Sequence, residues 1–261
     1  MKIRIKFRKY GTMKFIGHLD VMRYFQKAIR RADVDVCYSG GFSPHQIMSF
    51  AAPLGVGITS NGEYVDIEAA STKDSETMKR CLNEVMSEGF EIVSYRILPD
   101  DAANAMSIVG AGDYTLAFRP GYEPEDMDKE QWFQGLIAFF ERPSVMVTKK
   151  TKRGEKKMDL KPLVYGLSIC PEGDGEMEGP RLFMKISTGS AANVKPEQVL
   201  DAYYGFLGKE RPPFAFMVQR EEVYTDRASE AEKPVYTPLS LWNSWVRKSD
   251  NGQISSDPAG G

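Results

Sequence analysis

The chain has 261 residues, enough for one large domain or two small ones, and its 42% apolar and 27% charged residues are ordinary for a globular protein. No apolar run approaches the roughly 20 residues needed to cross a bilayer, and the basic N-terminus lacks the apolar core and cleavage site of a signal peptide, so a cytoplasmic protein without a membrane partner is expected. The formal net charge of −2 conceals an asymmetry: Lys2, Arg4, Lys6, Arg8, Lys9, Lys14, Arg23, Lys27, Arg30 and Arg31 stand against Asp20 alone between Met1 and Arg31. Lys149, Lys150, Lys152, Arg153, Lys156 and Lys157 form a second basic run, interrupted only by Glu155, while acids concentrate at Glu172 to Glu178 and Glu221 to Glu232. Two basic patches make a polyanionic partner worth testing.

Lys2 to Lys9 alternate strictly, with Ile3, Ile5 and Phe7 on one face and Lys2, Arg4, Lys6 and Arg8 on the other, the pattern of a half-buried strand. From His18, Leu19, Met22, Phe25 and Ile29 recur at helical spacing through Ala32. Val34 to Tyr38 reads as a second strand, ended by Gly40-Gly41 and Pro44, and an extended apolar segment follows at Ile47 to Ala52. Gly62 to Ala69 is expected as a strand with Val65 and Ile67 inward, Ser75 to Glu88 as a helix with Gly89 at its C-cap, and Phe90 to Leu98 as a closing strand.

That order is β-α-β-β-α-β, the ferredoxin-like split unit, and the remainder repeats it. Tyr114 to Phe118, Val145 to Lys149, Leu163 to Ser168, Arg181 to Ser187 and Phe214 to Arg220 read as strands, with helices at Lys129 to Phe140 and Pro196 to Leu207. The expected fold class is therefore α+β: two tandem ferredoxin-like units with antiparallel sheets, at 1–99 and 113–226, and a polar tail at 227–261. The boundary is expected in the small, polar stretch Pro99 to Gly112. In the tail, Leu239, Leu241, Trp242, Trp245 and Val246 form an apolar patch, expected to dock on the body of the protein, before a disordered end.

The densest chemistry lies in Gly17 to Pro53, which holds both histidines. His18 stands with Asp20 and Arg23 on the opening turn of a helix, where free N–H groups favour an anion. His45 closes a loop with Gly41, Phe42 and Pro44. If that loop returns to the helix start, His18, Asp20 and His45 could serve as a two-His-one-carboxylate metal site, as an acid–base pair for phosphodiester cleavage, or, with Arg23, as an anion clamp. They could equally be histidines that only hold loops by hydrogen bonds. Metal binding is disfavoured because the two do not share one helical turn, and no metal site is assigned. Catalytic roles stay open.

For polyanions, Arg4, Lys6 and Arg8 would meet phosphates on an open sheet face, as in RNA-recognition modules, although Asp66 and Glu68 on the neighbouring strand could neutralise part of it. Lys149 to Lys157 suits a basic hairpin turning at Arg153-Gly154, able to follow a phosphate backbone or simply to be solvated. Cys37, Cys81 and Cys170 are far apart and read as reduced thiols. Phosphate-binding glycine loops, serine-hydrolase elbows and zinc-protease motifs do not occur.

Several of these residues fall into a recognisable series: Lys9-x-Gly11, Gly17-His18-Leu19-Asp20, Met22-Arg23, Ala28 to Ala32, Tyr38-Ser39-x-Gly41-Phe42-Ser43-Pro44-His45, Ser49 to Leu54, Gly57 and Glu63-Tyr64-Val65-Asp66. The series resembles the radical-SAM-linked domain family of unknown function. Lys156 to Val164 and Lys195-Pro196 fit its looser second half, so the likeness runs from about Lys2 to Arg220. Members of that family are part of, or stand beside, cobalamin-binding radical SAM proteins, often in bacterial neighbourhoods with a ribonuclease E/G-type enzyme and ribosomal proteins. The family usually has S-H-L-D and G-F-N-P-H-P where this chain has Gly17, Ser43 and Gln46, which leaves His18, Asp20, Arg23 and His45 as transferable positions.

The resemblance implies a substrate-recognition or accessory partner of a radical SAM protein, with ribosomal or transfer RNA as substrate. The chain has no three-cysteine radical SAM motif, so no cofactor is expected in it. The iron–sulfur cluster, S-adenosylmethionine and cobalamin would be carried by the partner. An alternative is a metal-independent endoribonuclease using His18 and His45, and a third reading is a scaffold that binds only protein.

Overall fold

The computed structural model describes residues 1–151, 154–173, 177–189, 192–226 and 236–241, with the backbone alone at 149–151, 156, 171–173 and 226. In the first half the elements are β1 (Lys2–Lys9), α1 (His18–Arg31), β2 (Met48–Phe50), β3 (Thr59–Glu68), α2 (Ser75–Val85) and β4 (Phe90–Leu98). The strands lie in the order β4-β1-β3, with β2 on the far side of β3, and every pairing among them is antiparallel. Alternation explains the layer above them. Ile3, Ile5 and Phe7 of β1 and Val65 and Ile67 of β3 sink into one core with Phe25 and Ile29 of α1 and Leu82 of α2. Asp74 starts α2 by accepting a hydrogen bond from the Thr77 N–H at 2.9 Å.

The second half begins with α3 (Ala105–Ile108) and β5 (Val109–Phe118), followed by α4 (Lys129–Phe139), β6 (Met146–Thr151), β7 (Gly154–Asp159), β8 (Val164–Gly173), β9 (Gly179–Ser187), α5 (Pro196–Phe206), β10 (Phe216–Asp226) and β11 (Tyr236–Pro238). Its strands run in the order β10-β5-β9-β8, again antiparallel. Trp132, Phe133 and Leu136 of α4 and Val199 and Leu200 of α5 pack on Leu116, Phe118, Leu182 and Met184.

The two halves are not separate bodies joined by a linker. Strands β3 and β10 pair in parallel at Thr59 with Gln219 and Ser60 with Arg220, making one nine-stranded, mostly antiparallel sheet. The segment expected as a boundary, Pro99 to Gly112, contains α3 and the start of β5 and folds over the first half. Among the described residues no helix is long and apolar enough to cross a membrane.

Two local expectations change. Val34 to Tyr38 is not a strand: Val36 and Tyr38 make single bridges to Ala69 and Gln46, because the edge of β3 is taken by Met48–Phe50 instead. The basic hairpin pairs β6 with β7 rather than with the segment from Leu163, since Gly154 at φ +117° turns the chain back at once and frees β8 to join β9. The docking expected of the tail is seen in its described part, where β11 pairs with β10 and Leu239 is buried against Tyr64 and Val223. Trp242, Trp245 and Val246, and all of 227–235, lie outside the described residues.

Candidate functional site

The polar face of β1 is closed by its neighbours. Arg4 grips Asp66 with both arms of its guanidinium, Nε to Oδ1 at 2.8 Å and Nη2 to Oδ2 at 2.9 Å, and donates to the Ala103 carbonyl at 3.0 Å. Asp66 also accepts from the Ala105 N–H at 2.7 Å, and Lys2 donates to the Ala102 carbonyl at 2.7 Å. Lys6 pairs with Glu222 at 2.7 Å, and the other oxygen of that carboxylate accepts from the Tyr64 hydroxyl at 2.6 Å. Burial first, and then the Glu222 charge, push the Tyr64 hydroxyl well above its ordinary pKa. Arg8 alone stays at the surface, with Glu91. The open phosphate-binding face expected for Arg4 and Lys6 is therefore corrected. The register sets Arg4 directly opposite Asp66, and the 102–105 segment covers what the carboxylates do not.

His18 and His45 are engaged separately. The His18 ring meets Phe50 edge to face at 5.2 Å. His45 is exposed, its Nδ1 2.8 Å from the Ser39 hydroxyl, which also accepts from the His45 N–H. The adjoining Gln46 donates to the Gln26 carbonyl of α1, eight residues beyond His18, or about 12 Å along a helix rising 1.5 Å per residue. Thus the loop docks against the middle of the helix, whereas the expected pocket needs it at the helix start. Asp20 and Arg23 make an exposed ion pair with each other at 3.5 Å. Gly41 takes φ +98° and turns the loop so that Phe42 is wholly exposed, with Pro44 beside it at the surface.

In the hairpin, Val147 and Met158 are opposite one another and pack on the second core, which anchors its base. Beyond them the register sets Lys149 opposite Lys156, Lys150 opposite Glu155 and Thr148 opposite an exposed Lys157. Lys152 and Arg153 lie outside the described residues.

Between the halves the fold leaves a cavity of about 550 Å³. One wall is the Ala51–Ile58 connection from β2 to β3, and the other comprises Tyr114 of β5, Thr188 after β9 and the first turn of α5. Its floor is Arg220, only 2% exposed, beside the parallel contact of β3 and β10. Arg220 Nε donates to Glu63 at 2.9 Å, and Nη2 donates both to Glu63 and, at 2.7 Å, to the Ala52 carbonyl that forms the opposite wall. Burial favours loss of the Arg220 proton, but Glu63 and then Tyr114 outweigh it and hold the guanidinium charged. Lys9 is buried nearby and donates to the Ile16 carbonyl; burial lowers its pKa, with Glu63 opposing the change.

Sequence reasoning missed Lys9, Glu63 and Arg220 as a group. A signal was present: Lys9 stands on the parity of Ile5 and Phe7, Glu63 on that of Val65 and Ile67, and Arg220 on that of Phe216 and Val218. A charge on the apolar face of each of three strands calls for a buried partner. Cys37, Cys81 and Cys170 are free, and among the described residues no group of three His, Cys, Asp or Glu is arranged to hold a metal ion.

Residues 2–196 match the family described as "Uncharacterized protein conserved in bacteria (DUF2344)". No curated protein matches the chain.

Proposed function

The chain belongs to that uncharacterized bacterial family, and on this premise we propose that it is the substrate-recognition or accessory partner of a cobalamin-type radical SAM enzyme, acting in the cytoplasm with RNA as substrate. The partner supplies the cluster, S-adenosylmethionine and cobalamin; this chain supplies grip and orientation. The observation that carries the reading is the β6–β7 hairpin. It is a two-stranded ladder of its own, outside the main sheet, whose sequence carries Lys149, Lys150, Lys156 and Lys157 against Glu155, an excess of positive charge that favours a nearby anion. A phosphate backbone is such an anion. The wholly exposed Phe42, on a loop held by Ser39 and His45, offers the apolar anchor that a protein partner uses.

We further read the two halves as tandem ferredoxin-like units, a reading supported by the matching strand orders β4-β1-β3-β2 and β10-β5-β9-β8. The endoribonuclease reading draws no support from geometry, because His18 and His45 have different partners.

The test is binding of ribosomal or transfer RNA by the full chain across a salt series, beside co-purification with the radical SAM protein. Reversing Lys149 and Lys157 to Glu should weaken RNA binding and lower the salt slope by about one for each phosphate no longer neutralised. RNA affinity that ignores both salt and these substitutions, together with no retention of the radical SAM protein, refutes the proposal. Retention of that protein with no RNA affinity would instead favour the scaffold.

A further inference from the structure

We propose that the cavity between the halves is a guanine-binding pocket in which Glu197 reads the base edge and Thr188 adds a second polar contact. Two of its polar atoms lack partners. Thr188 is 5% exposed, and its hydroxyl, buried among the lining residues, makes no hydrogen bond. Glu197 lines the same cavity from the first turn of α5, and its buried Oε2 is likewise without a partner.

Neither atom finds a hydrogen-bond partner in the surrounding protein, although a carboxylate in the first turn of α5 suits the helix dipole. The start of α5 is capped by Gln198, whose side chain accepts from the Lys195 N–H at 3.0 Å, so Glu197 is not needed there. The cation beneath, Arg220, is already matched by Glu63 and Ala52. Thr188 lies over Gly112, where a Cβ would come within 3.2 Å of its hydroxyl, so the glycine leaves the space that the hydroxyl occupies. A buried polar atom without a partner carries a desolvation cost, which a ligand supplying the missing hydrogen bonds would return.

The chemistry of these two side chains selects the ligand. An ionised carboxylate only accepts, and it accepts best from two adjacent N–H groups. Among the four RNA bases, guanine alone presents two such donors side by side on its Watson–Crick edge. Beside the polar Asn193 and Lys195, the lining includes Ala51, Pro53, Leu54, Ile58 and Val194, apolar surfaces that can hold a flat ring, and the volume lies in the usual range for small-ligand sites, about 300–1,000 Å³. A base drawn out of an RNA strand is read in this way, by its edge and by its faces. The inference rests on the RNA reading for the source of the base; a free nucleoside has the same edge.

The experiment is calorimetric titration of the full chain with guanosine, inosine and adenosine, followed by RNA oligonucleotides with and without guanine. Guanosine should bind several-fold more tightly than inosine, which lacks the 2-amino group, and at least tenfold more tightly than adenosine. Glu197→Gln should lose at least tenfold for guanosine with its melting temperature retained, and Thr188→Val, nearly isosteric, should lose a smaller factor. Equal affinity for guanosine and adenosine, no nucleoside binding at millimolar concentration, or guanosine affinity unchanged in both variants overturns the pocket. Salt-sensitive RNA binding through the hairpin with no nucleoside binding would sink the pocket and leave the RNA reading standing. Guanosine binding that depends on Glu197, without RNA affinity, would keep the pocket and remove RNA as its source.

Discussion

Removing the Glu63 carboxylate should unfold the seam between the halves more readily than any surface change. Arg220 is buried and its guanidinium is charged; in Glu63→Ala it keeps the Ala52 carbonyl but loses the donations from Nε and Nη2 to Glu63. Two charge-assisted hydrogen bonds at about 1.5–3 kcal/mol each agree with the roughly 3–5 kcal/mol seen when a buried pair loses one partner. In a chain of this size that corresponds to a fall in Tm of roughly 10 °C. The assay is urea and thermal unfolding of wild type, Glu63→Ala, and the double variant Glu63→Leu/Arg220→Met. The double variant should recover most of the loss, because packed apolar side chains replace a buried pair at little cost. A single variant within about 1 kcal/mol of wild type, or a double variant no better than the single, would refute the assignment of Arg220 as a charge that depends on Glu63.

Gly62→Ala places a Cβ 2.8 Å from the Glu221 carbonyl oxygen and the Glu222 Cα, both backbone, so β3 must move away from β10; a loss of about 1–3 kcal/mol in urea unfolding is expected. Asp113, buried beside Lys185 and Tyr224, has its pKa raised by burial, which those two neighbours only partly offset. Its contribution to stability is therefore full below the ordinary value of 3.8 and is lost as pH rises through the higher native value. Asp113→Asn should accordingly gain on wild type as unfolding is measured from acid toward neutral pH, and a constant difference would count against it. Phe42→Ala should change stability by less than about 0.5 kcal/mol while weakening retention of the proposed radical SAM partner in co-purification. Replacing His45 by Ala removes an exposed loop contact to Ser39 and should leave RNA intact on long incubation with either protein, whereas cleavage by wild type that disappears in the variant would restore the endoribonuclease reading.

Much of the architecture was readable because periodicity is local. Lys2 to Lys9, Ser75 onward and Lys129 onward alternate or repeat at the spacing of the element they form, and their positions depend only on which face meets apolar neighbours. The failures were of pairing. Val34 to Tyr38 has strand composition, yet the edge it would occupy goes to Met48–Phe50, and nothing within either segment records that competition. The histidines show the same limit, since the contacts of His18 and His45 are fixed by Phe50, Ser39 and the docking of Gln46 on α1.

By itself the sequence determined the mixed α+β content, the core faces of most strands and helices, the basic turn near Gly154 and the placement of charges on apolar parities. Only the tertiary structure decided that the halves fuse through β3 and β10, that Arg4 and Lys6 spend their charge on Asp66 and Glu222, and that Glu197 and Thr188 share a cavity with Ala52 and Arg220. Periodicity reports which way a side chain faces, within a few residues of its own position. A partner more than 100 residues away is chosen by closure of the whole sheet, where register and burial are settled together.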